Sequence, residues 1–291
     1  MYELEQVGES TYIIKSPATI GLYVEYGAAT LIDSGNDKEA GRKINQHLTA
    51  NGWELKTILN THSNADHIGG NAFLQQRTGC EIRGSSIENT FTQFPVLEPS
   101  FLYGGYPPKP LRNKFLMAQP SVPVGDVSDG MPQGFEIIPL SGHYFGMIGV
   151  RTPDDVVFLA DCVMGANIIE KYHINFIYDV EQYLFTLDRV EELNAALFAP
   201  AHAEPAADIR PLVRANRDKV FEIIALLLEL CKTPRTAEEI IKLVFDHYSL
   251  TMDFNQYVLV GSTLRSYLAY LLDQGKMEAA FVENRLLWKT V

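Results

Sequence analysis

Two histidines and an aspartate crowd into the run THSNADHIGG, residues 61–70, with His62, Asp66 and His67 inside six positions. At that spacing a loop can aim imidazole nitrogens and a carboxylate oxygen at one point, and zinc and iron accept such a mixed set. The plainer alternative is a polar loop in which Asp66 caps the helix to come. Three later residues carry the same chemistry: His143 in LSGHYFG, Asp161 in VVFLAD and His202 in APAHAEP. Taken singly, they read as a turn histidine, a cap and a solvated loop residue. They share one position, however. Each follows or ends an apolar, strand-like stretch, and α/β sheets place their ligands at the carboxyl ends of strands.

The elements that must hold these residues alternate. Residues 20–33, IGLYVEYGAATLID, read as two short strands around the turn Glu25-Tyr26-Gly27. Residues 37–50 carry Ala40, Ile44 and Leu48 at helical spacing, and Asn51-Gly52 stops that helix. A strand over 56–60 runs into the His/Asp loop, and a helix is expected over 69–77. Strands follow at 135–140, 147–152 and 156–160, then a helix over about 180–194 and a strand-like stretch at 196–199. Strands alternating with helices predict an α/β layered fold. Cys162 follows Asp161 directly, but in a strand neighbours point to opposite faces, so it reads as a buried structural thiol.

Residues 91–120 break the rhythm. Six prolines there exclude a continuous helix or central strand. Phe91, Phe94, Phe101, Tyr103, Tyr106 and Phe115 make the segment too aromatic for a solvated linker. It reads as an ordered insert or lid, or as a loop covering a sheet edge. From 208 a long amphipathic helix runs to about 231, followed by helices over 236–247 and 255–273 and a hairpin over 276–289. Three helices and a hairpin resemble a winged-helix module. The expected division is therefore residues 1–230 and 231–291.

Charge limits the partners. The 291 residues hold 24 Lys plus Arg against 36 Asp plus Glu, a formal charge of −12. Affinity for nucleic acid rests on neutralising phosphates, and a chain this acidic is a poor general polyanion binder. The tail from 231 balances seven basic against seven acidic residues, and its recognition-helix candidate offers Arg265 as its one base. Its apolar Val258, Leu259, Leu264, Tyr267, Leu268 and Leu271 suggest packing on the main domain or in a homodimer. No apolar run is long enough for a membrane span, and MYELEQVGES lacks the pattern of a secretory signal. Three scattered cysteines make no disulfide framework. A cytoplasmic globular protein is expected.

The ordered set Asp33 in LIDSG, the His62–His67 loop, His143, Asp161 and His202 resembles the metallo-β-lactamase superfamily of hydrolases over about residues 12–205. The tail resembles the winged helix attached to one branch of it. The resemblance implies an αββα sandwich, two packed sheets with helices outside, and a dinuclear site at its edge. It places His62, His143 and Asp161 on a first metal, and Asp66, His67, Asp161 and His202 on a second, with Asp161 bridging. Asp33 carries over as a support rather than a ligand. The chain departs from the family's HxHxDH at Asn64, where an amide oxygen is a weaker, neutral ligand than imidazole. The first ion then binds with Asn64 or water completing its shell, or the enzyme works with one ion, or hydrolytic activity has been lost.

The chemistry implied is hydrolysis. A bound Zn²⁺ lowers the pKa of its water from about 15.7 to about 7, and Asp66 would orient the hydroxide so formed. Zinc is the expected ion, with iron or manganese as alternatives. The expected substrate is a small ester, thioester or lactone: the aromatic insert could wall an acyl chain, while Lys109, Arg112 and Lys114 could meet a carboxylate or phosphate. Tyr144 could donate to a substrate oxygen, or simply pack. An iron-dependent oxygen or redox enzyme on the same ligands, a nuclease, and a catalytically impaired binding protein are the competing readings.

Overall fold

A computed structural model describes residues 2–291, and all that follows concerns these residues. Strands β1 (Glu3–Gln6), β2 (Thr11–Lys15), β3 (Ile20–Glu25), β4 (Ala28–Ile32), β5 (Glu54–Leu59), β6 (Glu81–Gly84) and β7 (Gly125–Asp126) form one sheet in sequence order. β1 to β4 pair antiparallel, and β4 to β7 pair parallel. A second sheet holds β8 (Glu136–Pro139), β9 (Ile148–Arg151), β10 (Val156–Met164) and β11 (Leu197–His202), in the order β11-β10-β9-β8.

Side-chain alternation along the strands sorts the apolar residues into layers. Ile13, Ile32 and Leu59 of the first sheet meet Ile148, Val150, Val156 and Phe158 of the second, forming the core between the sheets. Their neighbours Ile14 and Leu31 face outward onto Ile44 and Leu48 of helix α1 (Lys38–Asn51) and Leu74 of α3 (Asn71–Thr78), with the single turn α2 (Ala65–Ile68) between these helices in the chain. In the second sheet, Val157 and Leu159 face outward onto α7 (Val180–Glu192) and α8 (Arg210–Leu230). The result is the expected αββα order of layers.

Local signals explain the boundaries. Asp37 caps α1 by accepting from the Glu39 and Ala40 amides, and Gly52 ends it in the left-handed region. Two expectations shift. The helix expected over 69–77 is found as α3, starting two residues later, and a separate turn, α2, precedes it; loop 33–37 crosses between them, against Gly69 and Gly70. A Cβ on Gly69 would lie 2.3 Å from the Asn36 carbonyl carbon, and one on Gly70 2.4 Å from the Ser34 oxygen. The strand expected over 156–160 continues to Met164, because a bulge interrupts it rather than ending it. Ala160 takes a φ of 49°, and the register with β11 shifts on both sides of it.

The insert is ordered. It begins in α4 (Ser86–Gln93), continues through α5 (Leu97–Tyr103), and has a turn at Lys109–Leu111 before rejoining the sheet at β7. The α6 helix (Ala166–Tyr172) follows β10. The tail forms α9 (Ala237–His247), α10 (Phe254–Asp273) and the hairpin of β12 (Met277–Val282) and β13 (Arg285–Thr290). Its buried Ile240, Val244, Leu264, Tyr267 and Leu271 share one continuous apolar cluster with Val157 and Leu159 of the second sheet. Among the described residues no helix is long and apolar enough to cross a membrane.

Candidate metal centre

Strand ends, the turn α2 and the bulged strand β10 bring all six expected residues to one edge of the sandwich. His62 follows β5, and Asp66 and His67 sit on α2, whose first residue is preceded by Asn64. Asp66 is therefore inside the turn and not its cap. His143 lies in the loop after β8, and His202 is the last residue of β11. Asp161 sits within β10, aimed by the bulge at Ala160. The donor atoms of Asp66, His67, Asp161 and His202 lie within 4.8 Å of one another, as do those of His62, His143 and Asp161. Asp161 belongs to both groups.

Every histidine in the cluster is held by Nδ1. His67 donates to Asp33 Oδ2 at 2.7 Å, His143 to the Phe176 carbonyl at 2.9 Å and His202 to the Pro17 carbonyl at 3.1 Å. His62 Nδ1 lies 3.1 Å from Thr61 Oγ1, whose own proton goes to Asp33 Oδ2 at 2.7 Å. Each neutral ring thus turns an Nε2 lone pair inward. There the Nε2 atoms meet only other acceptors: His67 is 3.0 Å and His202 3.2 Å from Asp161 oxygens, His202 is 3.4 Å from Asp66, and His143 is 3.2 Å from Asn64 Oδ1. His62 Nε2, His67 Nε2 and Asp161 Oδ1 are buried without a hydrogen-bond partner. Buried polar atoms are normally paired. Acceptors converging in this way call for a cation between them, a proton or a metal ion, and the donor set of imidazole and carboxylate suits a divalent transition metal.

The electrostatics divide the cluster. Burial works against charge on His67 and His202, yet Asp161 and its neighbouring carboxylates hold the His67 pKa well above its ordinary value and lift His202 to about 10. Burial also opposes the Asp66 carboxylate, which His67 and His202 nonetheless hold down to about 2. This half demands positive charge. Burial and the neighbouring His67 instead push His62 well below its ordinary value, and burial lowers His143. Solvent reaches the cluster at Asp66 and His202. The Asp66 side chain is 36% and that of His202 18% exposed, against 5% for His143.

The insert contributes two buried carboxylates that the sequence reading missed. Glu88 accepts from the Ser63 amide at 3.0 Å, the Ser63 hydroxyl at 2.6 Å and the Gly146 amide at 2.7 Å. Glu98 accepts from Asn64 Nδ2 at 2.9 Å. Burial and the nearby Asp66 charge hold the Glu98 carboxyl well above the usual range. A polar run ending in Asn64 carried no mark of these partners, because they lie more than twenty residues on, in a segment without periodicity. Thr61 was legible only as the first letter of the motif.

The expected substrate contacts fare unevenly. Of the two roles open to Tyr144, substrate contact is corrected and packing remains: the ring is wholly buried, edge-on to Phe91 and Phe145, and presents no surface to an incoming molecule. Arg112 turns back on its own segment, donating to the Tyr106 hydroxyl at 2.9 Å. Lys109 lies in the short turn at Lys109–Leu111. Lys114 pairs with Asp37 at 3.0 Å and lines a cleft of about 450 Å³ with Gly69, Met117 and Ala118. The three basic residues are not gathered into one patch of contacts. Cys162 is buried, as its strand position implied, and burial pushes its thiol pKa up. A cleft of about 650 Å³ between α5, α7 and α10 contains no residue of the metal centre.

Residues 15–202 match the family model of the metallo-beta-lactamase superfamily. A hydroxyacylglutathione hydrolase of Bradyrhizobium sp. (strain ORS 278) is 45% identical over 73 residues, 25% of this chain and 24% of that protein. Hydroxyacylglutathione hydrolase GloC of Haemophilus influenzae is 29% identical over 141 residues, 48% of this chain and 63% of that protein. The chain thus spans less than two thirds of the length of these curated relatives. Among solved structures, a metallo-beta-lactamase family protein from Thermus thermophilus has a TM-score of 0.73 at 18% identity, covering 97% of this chain and 99% of that one. A beta-lactamase domain protein from Burkholderia ambifaria has a TM-score of 0.74 at 16% identity, covering 99% and 94%. At such identities the likeness is one of fold, and it extends over nearly the whole chain.

Proposed function

Since this chain belongs to the metallo-β-lactamase superfamily, we propose that it is a metal-dependent hydrolase of a small thioester, with esters and lactones as the neighbouring classes. The convergence of four imidazole Nε2 atoms, each ring fixed through Nδ1, and two carboxylates carries this reading. The thioester preference rests on the hydroxyacylglutathione hydrolases among its relatives. His62, His143 and Asp161 would hold one divalent ion, and Asp66, His67, Asp161 and His202 the other, with zinc the first choice.

When bound, the ions supply a water of lowered pKa and a Lewis acid for the scissile carbonyl. The rest belongs to this chain's residues. Asp66, partly exposed at the mouth, accepts a hydrogen bond from the attacking water and orients it. Asp33 holds His67 through Nδ1 and Thr61 through both its amide and hydroxyl, fixing the loop on which four of the site residues stand. The substrate enters on the side of Asp66 and His202, since His62 and His143 are buried beneath.

The test is turnover of a 2-hydroxyacyl thioester of glutathione, alongside a lactone and a phenyl ester, by protein reconstituted with Zn²⁺, Mn²⁺ or Fe²⁺. Hydrolysis that a chelator abolishes and added metal restores is expected. Metal-filled protein that turns over none of the three classes would sink the reading.

A further inference from the structure

Asn64 stands where the family motif has histidine, and the structure gives its amide a definite orientation. Nδ2 donates to Glu98 Oε1 at 2.9 Å, which leaves Oδ1 turned toward His143 Nε2 at 3.2 Å. The proton of the neutral His143 ring is already committed, because its Nδ1 faces the Phe176 carbonyl at 2.9 Å and a carbonyl only accepts. Nε2 and Oδ1 therefore confront each other as two acceptors. His143 Nε2 also stands 3.6 Å from Asp161 Oδ2. An amide oxygen, an imidazole nitrogen and a carboxylate oxygen pointing at common space, with buried His62 Nε2 unpartnered nearby, are satisfied together by a cation.

We propose that Glu98 is a positioning residue that makes Asn64 a metal ligand, so that the insert, through α5, completes the first metal site. The donor set there becomes two imidazoles, the shared Asp161 and an amide oxygen. Glu98 acts as an acceptor rather than as a charge: whether ionised or protonated, it keeps an oxygen able to receive the Asn64 amide proton. The side chain is 5% exposed, so water cannot readily take its place. Exchanging an imidazole for a neutral oxygen weakens the site toward zinc and makes it harder in character. The second group keeps its two histidines and two carboxylates intact. The inference rests on the two-ion reading above, but its test needs no substrate.

Metal-free full-length protein is titrated with Zn²⁺ against a competing chromophoric chelator, and with Co²⁺ while the visible absorption is recorded. Wild type should take two equivalents with unequal affinity. Glu98→Ala should weaken the second, looser event by about 10–100-fold, change its Co²⁺ spectrum, and leave the tighter event within about threefold. Glu98→Gln, whose amide oxygen still accepts from Asn64, should recover most of the loss. It is also the safer variant for folding, to be checked by near-ultraviolet circular dichroism. Asn64→His should tighten the loose event. The proposal fails if wild type binds a single equivalent, if Glu98→Ala leaves the loose event unchanged, or if both events shift alike. Absence of thioester turnover would sink only the hydrolase reading, and two unequal events selectively sensitive to Glu98 would still support this one.

Discussion

Asp33 offers no atom to the metal group, yet it ties together more of the site than any ligand does. It adopts a φ of 63°, an uncommon conformation for a residue with a side chain, and from there accepts from the Thr61 amide, the Thr61 hydroxyl and His67 Nδ1. Asp33→Asn keeps the shape but turns one acceptor into a donor, against the Thr61 hydroxyl or the His67 N–H. Metal affinity of the tighter group should fall by about 10–100-fold, measured by chelator competition. Asp66→Ala should cost more in turnover than in folding, about 10²–10⁴-fold in kcat, because it removes both a ligand and the group that orients water. His202→Ala removes a ligand alone. Loss of its turnover should be partly reversed by raising the metal concentration, whereas Asp66→Ala should not be so rescued. Steady-state kinetics over a metal series separates the two. At this scale the ligands were legible because they stand in the family's order, each in or just after a strand-like stretch or in the short loop motif that follows one. Their supports were not: Glu88 and Glu98 come from the aperiodic insert, and hydrogen bonds at such separation leave no local pattern.

Element by element, the strand and helix positions followed from alternation and caps, while the departures trace to backbone contacts that no single segment encodes. The bulge at Ala160 depends on the pairing of β10 with β11, and the split of α2 from α3 depends on the crossing loop 33–37. The layer spacing behind them is testable. Phe158, 3% exposed, fills the gap between the sheets opposite Gly21, where a Cβ would come within 2.6 Å of its ring. Phe158→Ala should destabilise the fold by about 3–5 kcal/mol, read from urea unfolding of the metal-free protein. Because β10 also carries Asp161 and the first sheet leads to His62 and His67, the same variant should loosen metal binding. Unfolding unchanged within about 1 kcal/mol would mean that the sheets are not held apart by this residue. The aromatic insert is held by packing: Leu102, Leu111 and Leu116 bury against Val258 of α10.

That contact makes the tail part of the whole molecule's argument about the site. The α10 helix presses on α5 through Val258 at one end, and its Leu264, Tyr267, Leu268 and Leu271 enter the cluster beneath the second sheet. The one base of α10, Arg265, pairs with Glu238 at 2.9 Å, which takes up the positive charge a recognition helix would offer a phosphate. A formal charge of −12 opposes phosphate binding as well. Ending the chain at residue 231 would strip α9, α10 and Met277 from a shared core and expose the apolar sides of α7 and α8. The truncated protein should aggregate or unfold without cooperativity, since so large an exposed patch does not persist on a soluble monomer. It should also loosen α5 and with it Glu98, so any soluble fraction should bind metal like Glu98→Ala. A soluble, monomeric truncation with wild-type metal titration would show that the tail is a separate module. Submicromolar binding of duplex or single-stranded nucleic acid by the full chain at physiological salt, lost on truncation, would show that its role is recognition rather than support.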